Sequence, residues 1–468
     1  PTFPTKPAFN QQLSDSMGFN TSVFPSGNIL WAPRVGFNYD AKGDGSFILR
    51  GGAGVFSGRP PYVWLSNAYG NTGKEQAQLT CTGAGLPAFN ADTTEYTQCV
   101  GGGPLNQPKA TINLFDKNFK FPQTFRVTLG ADKKLPWGMV GSIDLMYAMN
   151  YNTLYLNDAN LAGVQGTLAG EGNRPVYGNP ALANPTPTKA TGGSNFNQVI
   201  VHTNQNKDYA YSGSIQVAKN FSDHIEFTAG YTYSRAYDLI SQTSSIAASN
   251  LGFATLDGTL ADRNVRPSAF DRPNKITVSG TYHFPHGVDL SMIYVGISGT
   301  PFGYVVSGDA NFDGIGSSQQ NDMFYVPKDS ADMHLANPAQ WDTLNTFINS
   351  QSCLSSQRGQ VMKRDSCRNP WQNYLNASLA WTLPQIRGQR FTISADVINL
   401  LHLISSDWGI IRTTSSFEGT NIVRRAAGAA GYDQAAQRNI YSLALPVQNL
   451  QSVAASRWRV QIGARYDF

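Results

Sequence analysis

At 468 residues, with a net charge of +4 and only 14% charged side chains, the chain is too long for one ordinary soluble domain and too poor in charge for a typical one. Its basic residues are dispersed, which speaks against a nucleic-acid interface, and no run of about 18 apolar residues offers a transmembrane helix. A mean hydropathy of −0.29 beside so little charge fits a membrane β-barrel, where apolar residues arrive one at a time and are averaged away by polar neighbours.

The chain opens on Pro1 with neither a Met nor a charged-then-apolar leader, and a processed or partial chain is expected. Trp31, Val35, Phe37 and Tyr39 then share one parity, and after the turn AKGDG so do Phe47, Leu49, Ala53 and Val55. Side chains alternate between the faces of a strand, so this spacing predicts two strands, each with one apolar and one polar face. Phe125, Val127, Leu129 and Ala131 predict a third, followed across LPWG by Met139, Ile143, Leu145 and Tyr147. Tyr211, Ile215 and Val217 lead across NFSDH to Ile225, Phe227, Ala229, Tyr231 and Tyr233. Ile276, Val278, Tyr282 and Phe284 precede the turn PHG and the run Val288, Leu290, Met292 and Tyr294. Leu375, Ala377, Leu379 and Trp381 reach a turn near IRGQR, then Phe391, Ile393, Ala395 and Val397. The closing RWRVQIGARYDF sets Trp458, Val460, Ile462, Ala464, Tyr466 and Phe468 against a polar face rich in arginine. These segments make about 11 strands, each long enough to cross a bilayer core when tilted.

Short and long connections alternate without a break. The stretches 58–121, 155–207, 237–271, 302–370 and 403–456 are long and polar, whereas the turns between them are brief. Short periplasmic turns opposite long extracellular loops are the pattern of outer-membrane barrels. The fold class expected is therefore all-β, a transmembrane antiparallel β-barrel with long extracellular loops. An odd strand count starts the first strand outside and leaves two sheet edges in lipid, which a bilayer does not tolerate. A partner sheet is expected, most simply a missing N-terminal part of the same protein.

The loops carry the remaining motifs. Cys81, Cys99, Cys353 and Cys367 form two local pairs, and of three possible pairings the two short loops cost the least closure entropy. Disulfides there imply an oxidising compartment. In GDANFDGIGSSQQND, residues Asp309, Asn311, Asp313 and Gly314 match the start of a calcium loop, with the Ile315 carbonyl next in order and Asp322 standing in for the glutamate that is Gln320 here. The competing reading is an Asx/Gly-rich turn, and any calcium would be structural. The stretch 337–351 predicts a short helix capped by Asn337 with Pro338 in its first turn. His283 and His286 straddle a tight turn, where a solvated turn is favoured over a metal pair. Trp31, Trp137, Tyr155, Trp381 and Tyr466 suit interfacial girdles. Asp144, Glu226, Asp289 and Asp396 fall on polar faces lining a hydrated lumen, and no nucleophile elbow, HExxH or tandem CxxC points to catalysis.

PRVGFNYDAKGDGSFILRGGAGVFSGRPP, FPQTFRVTLGADKKLPWGM, GYTYSRAYD, FDRPNKITVSGTYHFPHG and SADVINLLH, in this order, resemble segments of TonB-dependent receptors of the Oar-like kind, whose members usually carry a carboxypeptidase-regulatory-like domain. The resemblance implies a 22-stranded barrel around a plug, of which residues 1–468 are the C-terminal half, with the plug and N-terminal strands absent from this chain. It further implies uptake of a bulky ligand, with outer-membrane lipid, the absent barrel and plug portion, the TonB complex acting through that portion, and the barrel assembly machinery as partners. Tyr466 and Phe468 resemble the C-terminal signal that this machinery reads. The alternative is an outer-membrane structural or surface-interaction protein that transports nothing.

Overall fold

Period-2 alternation becomes one continuous antiparallel sheet. The computed structural model describes residues 6–75, 81, 83–92, 98–100, 109–220, 224–316, 319–385, 388–414 and 419–468. Parts of the expected turns NFSDH and IRGQR, and of the calcium segment at 317–318, lie outside the described residues. Eleven strands follow one another in chain order across the sheet: β1 (Arg34–Asp40), β2 (Phe47–Ser57), β3 (Gln123–Lys134), β4 (Met139–Tyr151), β5 (Tyr209–Lys219), β6 (Ile225–Asp238), β7 (Asn274–Phe284), β8 (Val288–Ile297), β9 (Gln372–Thr382), β10 (Arg390–Ile398) and β11 (Arg459–Asp467). The short strand Arg266–Pro267 extends the far end of β6. Among the described residues, β1 and β11 each pair on one side only, so the sheet is open.

The register keeps each chemistry on its own face. The row Tyr39, Leu49, Ala131, Ile143, Ile215, Tyr231 and Ile276 runs from β1 to β7, and most of it is exposed. The neighbouring row, Asn38, Arg50, Gly130, Asp144, Ser214, Thr232 and Lys275, lies on the opposite face. A one-residue slip would exchange the two faces, which fixes the pairing. Two hairpins close in the same way, through Leu135-Pro136-Trp137-Gly138 and Phe284-Pro285-His286-Gly287. Trp137 and His286 take φ of 61° and 67°, and the glycine after each takes 73° and 75°. Two successive positive φ values match the right-handed twist of the flanking strands.

The long connections, together with residues 6–33, pack into a cap over the other end of the sheet. Among the described residues, every cluster of buried apolar side chains lies in this cap. The largest joins Phe302, Tyr304, Val306, Phe324, Leu344 and Ile422. Within β1–β11 the one buried apolar side chain recorded is Ala148. The long, polar connections thus carry cores of their own, because their scattered apolar residues converge only in three dimensions. Pro301–Ser307 pairs in parallel with Gly419–Arg425, and Thr111–Phe115 with Gln198–Gln205. Tyr155 is corrected as well, since it sits in the cap strand Thr153–Asp158 and its hydroxyl donates to the Leu260 carbonyl at 2.9 Å, away from any lipid-facing rim. The expected helix forms as a 3₁₀ turn, Pro338–Gln340, leading into Trp341–Ser350, with the Asn337 side chain accepting from the Ala339 N–H at 3.1 Å. Disulfides join Cys81 to Cys99 and Cys353 to Cys367, all in the cap.

Candidate ligand path and its cap

The polar face of the sheet is a charged wall. Arg50 stands beside Gly130, and the missing Cβ lets its guanidinium reach over β3 to Asp132 on that strand and to Asp144 on β4. Its Nε lies 2.8 Å from Asp132 Oδ2 and its Nη1 2.7 Å from Asp144 Oδ1. A Cβ on residue 130 would come within 2.6 Å of Asp144 Oδ1 and 2.9 Å of the Arg50 guanidinium carbon. Nearer the cap, Arg34 and Arg126 flank one ring, their guanidinium carbons 4.4 and 5.7 Å from the Phe56 centroid. Neither has an ion-pair partner among the described residues, so this end of the wall carries uncompensated positive charge.

The remaining sequence-predicted acids lie on the same face. Glu226 and Asp396 line a recess of about 400 Å³ with Asn376 and Ser378. Asp289 Oδ1 lies 2.7 Å from His283 Nδ1, so His283 is taken up by a cross-strand acid, while His286 sits within the tight turn at positive φ. Tyr466 and Phe468 project together from the end of β11, ring centroids 6.2 Å apart, and Phe468 is fully exposed.

Buried ion pairs fasten the cap to the sheet. Arg364 Nη2 donates to both the carbonyl and Oδ1 of Asp238 at 2.6 and 2.7 Å, while its Nη1 pairs with Asp365. Arg368 Nη2 reaches Asp271 Oδ2 at 2.7 Å, and Arg235 at the end of β6 meets the other oxygen at 3.3 Å. At this junction a cavity of about 490 Å³ opens, lined by Ser241, Asn250, Phe253, Phe270, Thr300 and Gln320, and among the described residues no charged side chain lines it.

Residues 309–316 and 319–322 form a tight, largely buried loop. Asp309 accepts the N–H of Asp313 at 3.0 Å and of Gly314 at 2.8 Å; Asn311 Oδ1 accepts the Asp313 N–H, and Asp313 Oδ1 that of Ile315. Asp322 returns to the start of the loop, where its Oδ2 accepts the N–H groups of Ala310 and Asn311 at 2.6 and 3.2 Å. Five sequence-predicted residues, Asp309, Asn311, Asp313, Ile315 and Asp322, are therefore brought together. Burial pushes the Asp313 carboxyl up, and it pushes Asp322 up to about 7 although Arg174 lies 3.7 Å away. Among the described residues no three acidic, histidine or cysteine side chains already stand at metal-binding spacing.

Sequence reasoning missed the network behind this loop. Glu171 accepts Arg174 Nε at 2.8 Å, the Tyr441 hydroxyl at 2.8 Å and Asn439 Nδ2 at 2.9 Å. Asn439 also donates to the Ala310 carbonyl at 3.0 Å, so three long connections meet at the loop. The one available signal was a pair of opposite charges three residues apart, in GEGNRP.

The family model for the outer membrane beta barrel domain matches residues 4–405. The chain belongs to that outer-membrane β-barrel family. Its place is the bacterial outer membrane, and the exposed apolar rows of the barrel sheet are of the kind that faces lipid. Among curated proteins, none matches the chain. Of solved structures, the chain is similar to the outer membrane transporter YddB from Escherichia coli, at 11% identity over 79% of this chain and 36% of that one, with a TM-score of 0.43. A ferric enterobactin receptor from Pseudomonas aeruginosa matches at 10% identity over 94% of this chain and 41% of that one, with a TM-score of 0.41. The siderophore receptor PirA from Acinetobacter baumannii matches at 12% identity over 79% and 37% of the two chains, with a TM-score of 0.39. The outer-membrane barrel chain thus spans about two fifths of the length of these receptors.

Proposed function

We propose that residues 1–468 form the C-terminal half of a TonB-dependent outer-membrane receptor of the Oar-like kind, which takes up a bulky ligand. The observation that carries this reading is the open sheet, apolar on one face and polar on the other, whose β1 and β11 edges lack a second neighbour among the described residues. Unpaired backbone N–H and C=O groups in hydrocarbon cost several kcal/mol each, so both edges call for further strands. An N-terminal half of the barrel would supply them and would enclose the charged wall as a lumen. Its plug would gate that lumen and engage the TonB complex at the inner membrane.

In this arrangement the cap faces outward. It meets the ligand first, and the paired acids and bases of the wall line the route below. Arg34 and Arg126, with no ion-pair partner among the described residues, favour ligands carrying negative charge at the mouth. Tyr466 and Phe468, exposed at the short-turn rim, serve as the signal for the assembly machinery.

The intact mass of the protein purified from its native outer membrane, with peptides mapped upstream of Pro1, tests the reading. A heavier chain that includes plug and barrel sequence is expected. A mass matching these residues alone, in a stable closed barrel, would contradict it.

A further inference from the structure

Asp309 and Asp313 are carboxylates in a largely buried loop that form no ion pair among the described residues. Asp313 is 4% exposed and Asp322 1% exposed. Three arginines stand around the loop, and among the described residues none of them forms an ion pair with Asp309 or Asp313. Arg174 belongs to Glu171 at 2.8 Å, and only its far nitrogen approaches Asp322. Arg425 Nε donates to Asn439 Oδ1 at 2.7 Å while its plane lies over Phe312, and Arg263 Nη1 donates to the Ala254 carbonyl at 3.1 Å, which leaves Arg425 Nη2 and Arg263 Nε and Nη2 without a hydrogen-bond partner among the described residues. A buried carboxylate normally finds a counter-ion or gives up its charge.

A second observation is independent of the acids. Asn321 is fully buried, and its Nδ2 rests 2.6 Å from Asp313 Oδ2, which holds the amide against the loop. Its Oδ1 has no hydrogen-bond partner. An orphaned buried amide oxygen beside unpaired carboxylates is an acceptor set that lacks its cation. All the donors are oxygen, which suits a hard ion, and calcium tolerates the irregular, flexible geometry that magnesium does not.

We propose that this loop is a structural calcium site that locks the cap. The side chains of Asp309, Asn311, Asp313, Asn321 and Asp322 and the carbonyl of Ile315 would supply the oxygens, the acids turning onto the ion from their present backbone partners. The ion would fix Asp322 and Ala310, and through Arg174, Glu171, Asn439 and Tyr441 it would tie the connections after β4, β8 and β10 into one body. This lock goes beyond the uptake reading and holds whether or not the protein transports anything.

Calcium titration of the purified intact protein in detergent, after EGTA treatment, tests the proposal. One equivalent is expected to bind, with saturating calcium raising the melting temperature of the cap on the order of 5–10 °C, as a ligand at about 100 times its Kd should. Asp313→Asn is expected to weaken binding at least about tenfold and abolish the calcium-dependent shift. In EGTA the same variant should keep the wild-type circular dichroism spectrum. That control separates a lost site from a damaged fold. Absence of binding at millimolar calcium, a wild-type melting temperature indifferent to EGTA, or calcium affinity unchanged in the variant would each overturn the proposal.

Discussion

The barrel sheet and the cap use the same kinds of residue in opposite ways. Ile143, Ile215 and Ile276 lie exposed on one face of the sheet, while Leu344, Ile348 and Ile422 are fully buried in the cap. The cap has cores, disulfides and buried ion pairs of its own, as a water-soluble domain does. The sheet has no buried core among its described residues, because its apolar face is built to meet lipid. Stability in the cap comes from apolar burial and satisfied polar groups, and in the sheet from ladder hydrogen bonds and the bilayer. Substitutions should therefore sort by region.

The largest separation is expected from Phe324→Ala, which empties a fully buried site in the main cap cluster. It should lower cap stability by about 3–5 kcal/mol in chemical unfolding, while the strand signal in the membrane stays at wild-type level. Ile215→Arg should do the reverse, costing about 2–4 kcal/mol in barrel insertion with the cap untouched, as read by the yield of heat-modifiable barrel in membrane fractions. Equal damage to both regions by either variant would break the division.

The third expectation concerns pH. Burial holds the cap residue His202 neutral and lowers its pKa from 6.5 to about 4. The unfolded chain then binds more protons than the folded one between those values, so stability falls as pH drops through 6.5 toward 4. The loss reaches about 3 kcal/mol at the lower end. His202→Gln should flatten that slope in cap melting, and an unchanged slope would remove His202 as its cause. The smallest effect is expected from Asp144→Asn on the sheet. It leaves Arg50 with Asp132 alone and, in a partly exposed pair, should shift stability by less than about 1 kcal/mol in a refolding titration.

The strands were legible in the sequence and the cap was not, for one physical reason. A strand between lipid and a wet lumen repeats its pattern every two residues, so Phe125 through Ala131 announce both a strand and its faces. The cap buries residues brought from distant connections. Val306 and Val423 meet through parallel pairing that no local period encodes. The 309–322 segment could be singled out because its oxygen-bearing side chains lie close together in sequence. Glu171 and Arg174 were missed because their partners, Tyr441 and Asn439, lie in another connection. Asp238 and Asp271 stood within the segments GYTYSRAYD and FDRPNKITVSGTYHFPHG, yet their role as anchors for Arg364 and Arg368 needed the fold.

Spin labels on single cysteines introduced in turn at 211–217 of β5, in the protein embedded in lipid, test most directly that one face of the sheet meets the bilayer and the other meets water. Ile215→Cys and the other odd positions should be relaxed by lipid-soluble oxygen, and Ser214→Cys and the other even positions by a water-soluble nickel chelate. Accessibilities without this two-residue alternation would contradict a membrane-spanning wall.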